Sequence, residues 1–229
     1  MSLAGTGVVA IWHDLLPEAK DAFYEWHNRE HMPERAAVPG FLRGRRYIAV
    51  SGAPEYFNLY EAQTPEVLGG PDYLARLNAP TPWTREVVAS FRNVARSICR
   101  VIYSGGIGQG GVMLTLRFDV EADAHVPMAD AFCKHLLPPL LDRVGIAGVH
   151  LCIADEAVSR IETAEKKARA DATAVPAWIV LIEGISAPAV GGAAEVLEAA
   201  MRSHGLDGAP DKSVYQLEHT RCKTAGSAG

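Results

Sequence analysis

The sequence predicts an α+β chain made of two tandem βαββαβ units packed sheet to sheet. Three observations lead there. A glycine-rich stretch at the middle of the 229 residues reads as a linker over 105–110. The order of β-prone and helical segments is the same on both sides of it. In each half, two helices cover only one face of a four-stranded antiparallel sheet, the ferredoxin-like arrangement, so the two bare apolar faces are expected to meet and enclose a cavity, as in a dimeric α/β-barrel.

The first unit is assigned to residues 1–104. Val8 to His13 is a short β-prone run. From Pro17 to Ala37 apolar and aromatic residues recur at helical spacing, and Val38-Pro39-Gly40-Phe41 stops the helix. Arg43 to Val50 and Tyr56 to Ala62 read as strands across the turn Ser51-Gly52-Ala53-Pro54. A second helical region, broken at Pro80 and Pro82, leads to a closing strand from Val94 to Tyr103. The second unit, 111–223, repeats the pattern. Its strands are Val112 to Phe118, Gly148 to Ala154, Trp178 to Gly184 and Ser213 to His219; its helices are Pro127 to Val144, with a break at Pro138-Pro139, and Ala193 to His204. The charged stretch Glu156 to Asp171 is extra and reads as an exposed helix. Residues 224–229 read as a flexible tail.

Composition narrows the partners. The chain carries 22 Lys+Arg against 27 Asp+Glu, net −5, without a basic face, so a small-molecule ligand is expected rather than nucleic acid or an anionic membrane. Cys99, Cys133, Cys152 and Cys222 are scattered and form no C-x-x-C pair, as expected of reduced thiols in the cytoplasm. No apolar run approaches the ~20 residues of a membrane helix.

Candidate chemistry concentrates in Trp26-His27-Asn28-Arg29-Glu30-His31-Met32-Pro33-Glu34-Arg35. Steps of four place His27, His31 and Arg35 on one stripe of the helix and Trp26 on the next. A stripe of imidazoles beside a guanidinium is not a packing pattern, although a solvated helix face with Trp26 turned inward stays open as the alternative. His27 to His31 spells H-x-x-E-H, the spacing of the inverted zinc peptidases, but Pro33 cuts the helix and no third ligand is evident, so no metal is assigned. Residues 106–111 spell G-x-G-x-x-G, yet a strand follows them instead of a helix, which rejects a dinucleotide site. Trp12, Arg43, Tyr47, Tyr60 and Trp83 are the ligand-binding candidates; the same large side chains would also serve as plain filling between the sheets. The second unit lacks this chemistry, although His135 is read as the counterpart of His31.

Trp26 to Arg35, Val38-Pro39-Gly40-Phe41 and Arg45-Arg46-Tyr47 together resemble the dimeric α/β-barrel superfamily, especially the ethyl tert-butyl ether degradation (EthD-like) family. The resemblance covers residues 7 to 103 and implies paired ferredoxin-like units around a space for small, often aromatic compounds. It implies a homodimer, a mode that the tandem repeat puts in question. Members include isomerases, cofactor-free monooxygenases, cyclases, heme enzymes and proteins without known activity. His31, in His31-Met32-Pro33, takes the position of the family's site histidine. The expected function is a cofactor-independent isomerase, cyclase or lyase acting on a small ring compound. A non-catalytic binder and a heme protein are the alternatives.

Overall fold

The computed structural model describes residues 3–223, so the tail expected at 224–229 lies outside the described residues. Eight strands are present: β1 (Gly7–Leu15), β2 (Phe41–Ser51), β3 (Tyr56–Ala62), β4 (Phe91–Gly106), β5 (Val112–Phe118), β6 (Ile146–Ala154), β7 (Trp178–Gly184) and β8 (Asp211–Cys222). They close into a barrel in the order β1-β3-β2-β8-β5-β7-β6-β4, each neighbour antiparallel. Each half contributes four adjacent strands in the ferredoxin-like order, and the chain is two such units in tandem.

The two sheets do more than stack. Their edges hydrogen-bond to each other, β2 to β8 from Arg43↔Cys222 to Ser51↔Val214, and β4 to β6 from Cys99↔Ala154 to Gly106↔Gly148. Joining them satisfies backbone groups that open sheet edges would leave unpaired, and the natural twist of the strands rolls the two sheets together. The barrel closes within one chain. Gly105 and Gly106, expected in the linker, belong to the end of β4 and pair with Val149 and Gly148.

Alternation along the strands decides which side chains face the barrel axis. Val8, Ala10 and Trp12 of β1 point inward, as do Phe57 and Leu59 of β3, Tyr47 of β2, Met113, Ile179, Leu181 and Tyr215. The cavity expected between the sheet faces is therefore occupied by packed side chains. At one end of the interior Arg43 grips Glu61 with two bonds (2.8 and 2.6 Å), and Arg45 reaches both Glu61 (3.0 Å) and Glu183 (3.0 Å). His150 lies 3.4 Å from Glu183.

The helices lie outside the barrel. In the first half they are α1 (Lys20–Trp26), α2 (Met32–Ala37), α3 (Pro65–Leu68), α4 (Pro71–Asn78) and α5 (Pro82–Val88); in the second, α6 (His125–Ala131), α7 (Glu156–Ser159), α8 (Ala164–Lys167) and α9 (Ala187–Ser203). A single π turn, His27–His31, joins α1 to α2, and an equivalent one, Phe132–Leu136, follows α6. Behind the second half the layer between helices and sheet is one continuous apolar cluster. Behind the first half it is split into two apolar clusters with polar residues between them. The stretch 156–171 is not one exposed helix. It forms two short helices, α7 and α8, and buries Ser159, Thr163 and Glu165.

Candidate functional site

The polar gap in the first half is centred on the π turn. Its i→i+5 bond, from the Met32 N–H to the His27 carbonyl, widens the helix so that residues four apart lie almost one above the other. The rings of His27 and His31 stack at 5.5 Å and 22°, and the His31 ring lies 4.2 Å from that of Trp26. From the sheet, β1 supplies Ile11 and His13 and β3 supplies Asn58 and Tyr60, all on the outward side. Ile11, Trp26, His27, His31, Asn58, Tyr60, Val88, Phe91, Glu165 and Arg169 enclose a cavity of about 20 Å³. That space holds roughly one water molecule.

The hydrogen bonds assign the protons. Arg46 Nη1 donates to His27 Nδ1 (3.0 Å), so the remaining proton of the neutral ring sits on Nε2 and is donated to the Tyr60 hydroxyl oxygen (3.0 Å). The Tyr60 O–H is then left to donate toward the cavity. Asn58 Nδ2 donates to His13 Nε2 (3.0 Å), and the His13 Nδ1–H faces the Asp14 carbonyl at 3.3 Å. His31 Nδ1 and Asn58 Oδ1 are buried without a partner in the protein. Burial is the main cause that holds all three rings uncharged. It pushes His13 down to about 3 and His27 and His31 well below the ordinary imidazole value, and the charge of Arg46 on His27, and of Arg35 and Arg169 on His31, adds to it. Tyr60 is pushed up by burial and stays protonated.

Neighbouring residues hold this arrangement. Arg46 is fixed by Glu218 (3.0 Å), by Asn28 (2.8 Å) and by lying over the Tyr24 ring. Trp26 Nε1 donates to Thr84 (3.1 Å), and Thr84 and Thr81 both donate to Glu30. Gly44 on β2 makes room for Tyr60: a Cβ there would meet the Tyr60 ring at 3.0 Å and Met32 Sδ at 2.7 Å.

The internal repeat supplies a built-in comparison. Matching the π turns and strand registers sets His13 against Phe118, Asn58 against Val180, Tyr60 against Ile182, His27 against Phe132 and His31 against Leu136. The same fold position is thus satisfied by an apolar core in one half and filled by five polar groups in the other. His135 matches Glu30, one residue away from the counterpart expected for His31, because Pro33 and Pro138 occupy the same position after the two π turns.

Of the candidates read from the sequence, Trp26, His27, His31 and Tyr60 meet at this cavity. Arg35 lies behind it, bonded to Glu165 and Glu34. Trp12, Arg43 and Tyr47 do not reach it, because alternation turns them into the barrel. Trp83 sits on α5 outside the cavity, and Thr84 makes the contact to Trp26 instead. The zinc-peptidase spacing is undone by geometry: both His27 nitrogens are engaged and Glu30 turns to the two threonines. Among the described residues no group of three or more His, Cys, Asp or Glu side chains is placed to hold a metal ion, and no helix is long and apolar enough to cross a membrane. His13 and Asn58 carried a signal in the alternation of their strands. Glu165 and Arg169 carried none, since they arrive from the other half of the chain.

No protein-family profile matches the chain, and no curated protein matches its sequence. Solved structures do match. An anthrone oxidase-like protein superposes with a TM-score of 0.67 at 15% identity, covering 99% of both chains. A protein of Fusobacterium nucleatum provisionally assigned as a monooxygenase gives 0.60 at 9% identity over 96% of both. A heme-binding protein of Thermus thermophilus gives 0.51 at 10% identity, covering 94% of this chain and 92% of that one. At these identities the likeness concerns the fold: the chain has the tandem ferredoxin-like barrel that these proteins share.

Proposed function

We propose that the cavity beneath the His27–His31 π turn is the active site of a cofactor-independent enzyme that moves a proton on a small ring compound. The observation that carries the reading is the asymmetry between the halves. The second half shows that this layer packs well with apolar side chains, so five polar groups in the first half are a cost in stability retained for another purpose. The roles follow from the hydrogen bonds. His31, uncharged and with Nδ1 unpartnered, takes a proton from a carbon or oxygen next to a ring carbonyl. The Tyr60 O–H, backed by His27 and Arg46, donates to the carbonyl oxygen as charge develops there. Returning the proton to another atom completes an isomerisation with no co-reactant. The likeness to an anthrone oxidase-like protein is compatible with an aromatic or polycyclic ketone as substrate. An EthD-like affiliation, a cytoplasmic setting suited to four free cysteines and a homodimer belong to the same reading; the closed barrel does not itself require the dimer.

The heme-binding neighbour raises heme as a second reading. The residues as placed do not fit it. The His31 ring is covered by Trp26, and both nitrogens of His27 and of His13 are engaged by their neighbours, so these imidazoles are not presented to an iron. The test is hydrogen–deuterium exchange in D₂O, followed by NMR, on a panel of enolisable ring ketones and lactones that includes anthrone. The protein should accelerate exchange next to the carbonyl, and His31→Leu, which installs the residue of the second half, should lower that rate roughly 10²–10⁴-fold while leaving the fold intact. Compounds that bind and emerge without exchange would reduce the protein to a binder. A Soret band after reconstitution with hemin would favour the heme reading.

A further inference from the structure

The connection from β6 to β7, contributed by the second half, lies over the cavity of the first. It is fastened to β4 at both ends: Ser159 Oγ accepts from Ile98 N (2.9 Å), and Ala174 exchanges backbone bonds with Val94 (2.9 Å) and Arg96 (2.8 Å). Between these fastenings, residues 160–173 form a flap carrying Glu165 and Arg169. A second space of about 10 Å³, bounded by Arg96, Thr163, Glu165 and Arg169, lies on the other side of that pair. Displacing the flap would merge the two spaces and open the site.

Charge under the flap is unbalanced. Arg35, Arg96 and Arg169 all bury their guanidinium groups there, yet Glu165 is the one fully buried carboxylate among them and is bonded directly to Arg35. Glu34 serves Arg35 and Arg76, and Arg96 donates to the Tyr73 hydroxyl at 3.2 Å. Arg169, its side chain 4% exposed, reaches Glu165 only at 3.8 Å, donates to Thr173 at 3.3 Å, and has Nε buried with no partner. Burial, with Arg96 and Arg35 nearby, pushes it down to about 10. An arginine held this way costs free energy that a bound anion would recover. Three buried polar atoms without partners, His31 Nδ1, Asn58 Oδ1 and Arg169 Nε, belong to residues lining one cavity.

We propose that Arg169 is the anion-binding residue of the site and that the ligand is a ring compound bearing a carboxylate, gripped when the flap closes. The proposal names the substrate class of the site assigned above and rests on that assignment for its location, while its test needs no turnover. The carboxylate accepts from Arg169, the Asn58 amide oxygen and His31 Nδ1 face the remainder of the ligand, and the ring lies against Phe91, Trp26 and Ile11.

Benzoate and its neutral isostere benzamide are the probes, measured by calorimetry and thermal shift on the full chain. Wild type should bind benzoate at least tenfold more tightly than benzamide and gain melting temperature from it. Arg169→Gln should erase the preference while melting no lower than wild type, since it removes an under-compensated buried charge. Arg169→Lys should keep a preference for the anion, and His31→Leu should keep it as well. Wild type that prefers benzoate in this way yet accelerates exchange on no compound of the ketone and lactone panel would sink the enzymatic reading and leave this one standing. Equal binding of the two probes by wild type, no benzoate binding up to about 10 mM, or an undiminished preference in Arg169→Gln would overturn it.

Discussion

Lowering the pH from 7 to 5 should strongly destabilise this fold through three histidines. His13, His27 and His31 are enclosed between helix and sheet and held uncharged in the folded state, His13 down to about 3 and the other two well below the ordinary imidazole value, in each case mainly by burial. The sign follows from linkage. A histidine whose folded value is depressed stays neutral as the unfolded chain takes up a proton, so its contribution is intact above the unfolded value and is lost as the pH falls below it. Between pH 7 and 5 each histidine removes about 2 kcal/mol, and the three together about 6 kcal/mol. That is comparable to the whole stability of many domains. His150 in the barrel is pushed in the same direction by burial. Among the carboxylates, Glu183 titrates below this window because its bonds to His150 and Arg45 hold it down at about 2 against the effect of burial, whereas Glu34, raised by burial, acts with the opposite sign. Urea unfolding at the two pH values measures the loss, and the ring-proton shifts of the three histidines should stay constant over the same range. A loss below about 2 kcal/mol, or titration of any of the three above pH 6, would refute the claim that they are buried neutral.

Two further outcomes follow from packing. Glu183→Gln leaves Arg45 facing half its carboxylates inside the barrel and should cost about 3–5 kcal/mol, seen as a drop of about 10 °C in melting temperature. A drop of a degree or two would mean that Glu61 alone balances Arg45. Gly44→Ala puts a methyl group against Tyr60 and Met32 and should cost about 1–3 kcal/mol and cut deuterium exchange several-fold with the His31 environment unchanged by NMR; unaltered stability and exchange would show that Tyr60 has slack.

The repeat was readable because period-two and period-3.6 patterns recur in the same order on both sides of the glycine-rich break, and such patterns survive large divergence. His27, His31 and Trp26 were readable because they share a single helix, where spacing in sequence is spacing in space. Trp12, Tyr47 and Arg43 lie in the barrel interior, apart from the helix-side cavity, because alternation gives a strand two faces without saying which of them is packed solid. Whether the barrel closes within one chain or between two was left open for a related reason. Nothing in the side chains of β2 or β8 announces a partner when the pairing is made by backbone groups alone. Glu165 and Arg169 were beyond reach, coming from the other half of the chain, with Glu165 130 residues from the Arg35 it bonds, and the π turns were invisible because their sequences also suit an ordinary helix.

The closed ring of strands within one chain has a consequence for how such a protein diverges. If the same ring were assembled from two identical subunits, every change would appear twice, and each polar group placed beneath the π turn would be charged against stability in both. With the two copies joined, one lineage of the repeat keeps its oily layer and carries the burden of cohesion. The other is free to accumulate imidazoles, an amide and a phenol. The joining also permits what identical subunits could achieve only in duplicate, a strap grown on one copy to cover the cleft of its sibling.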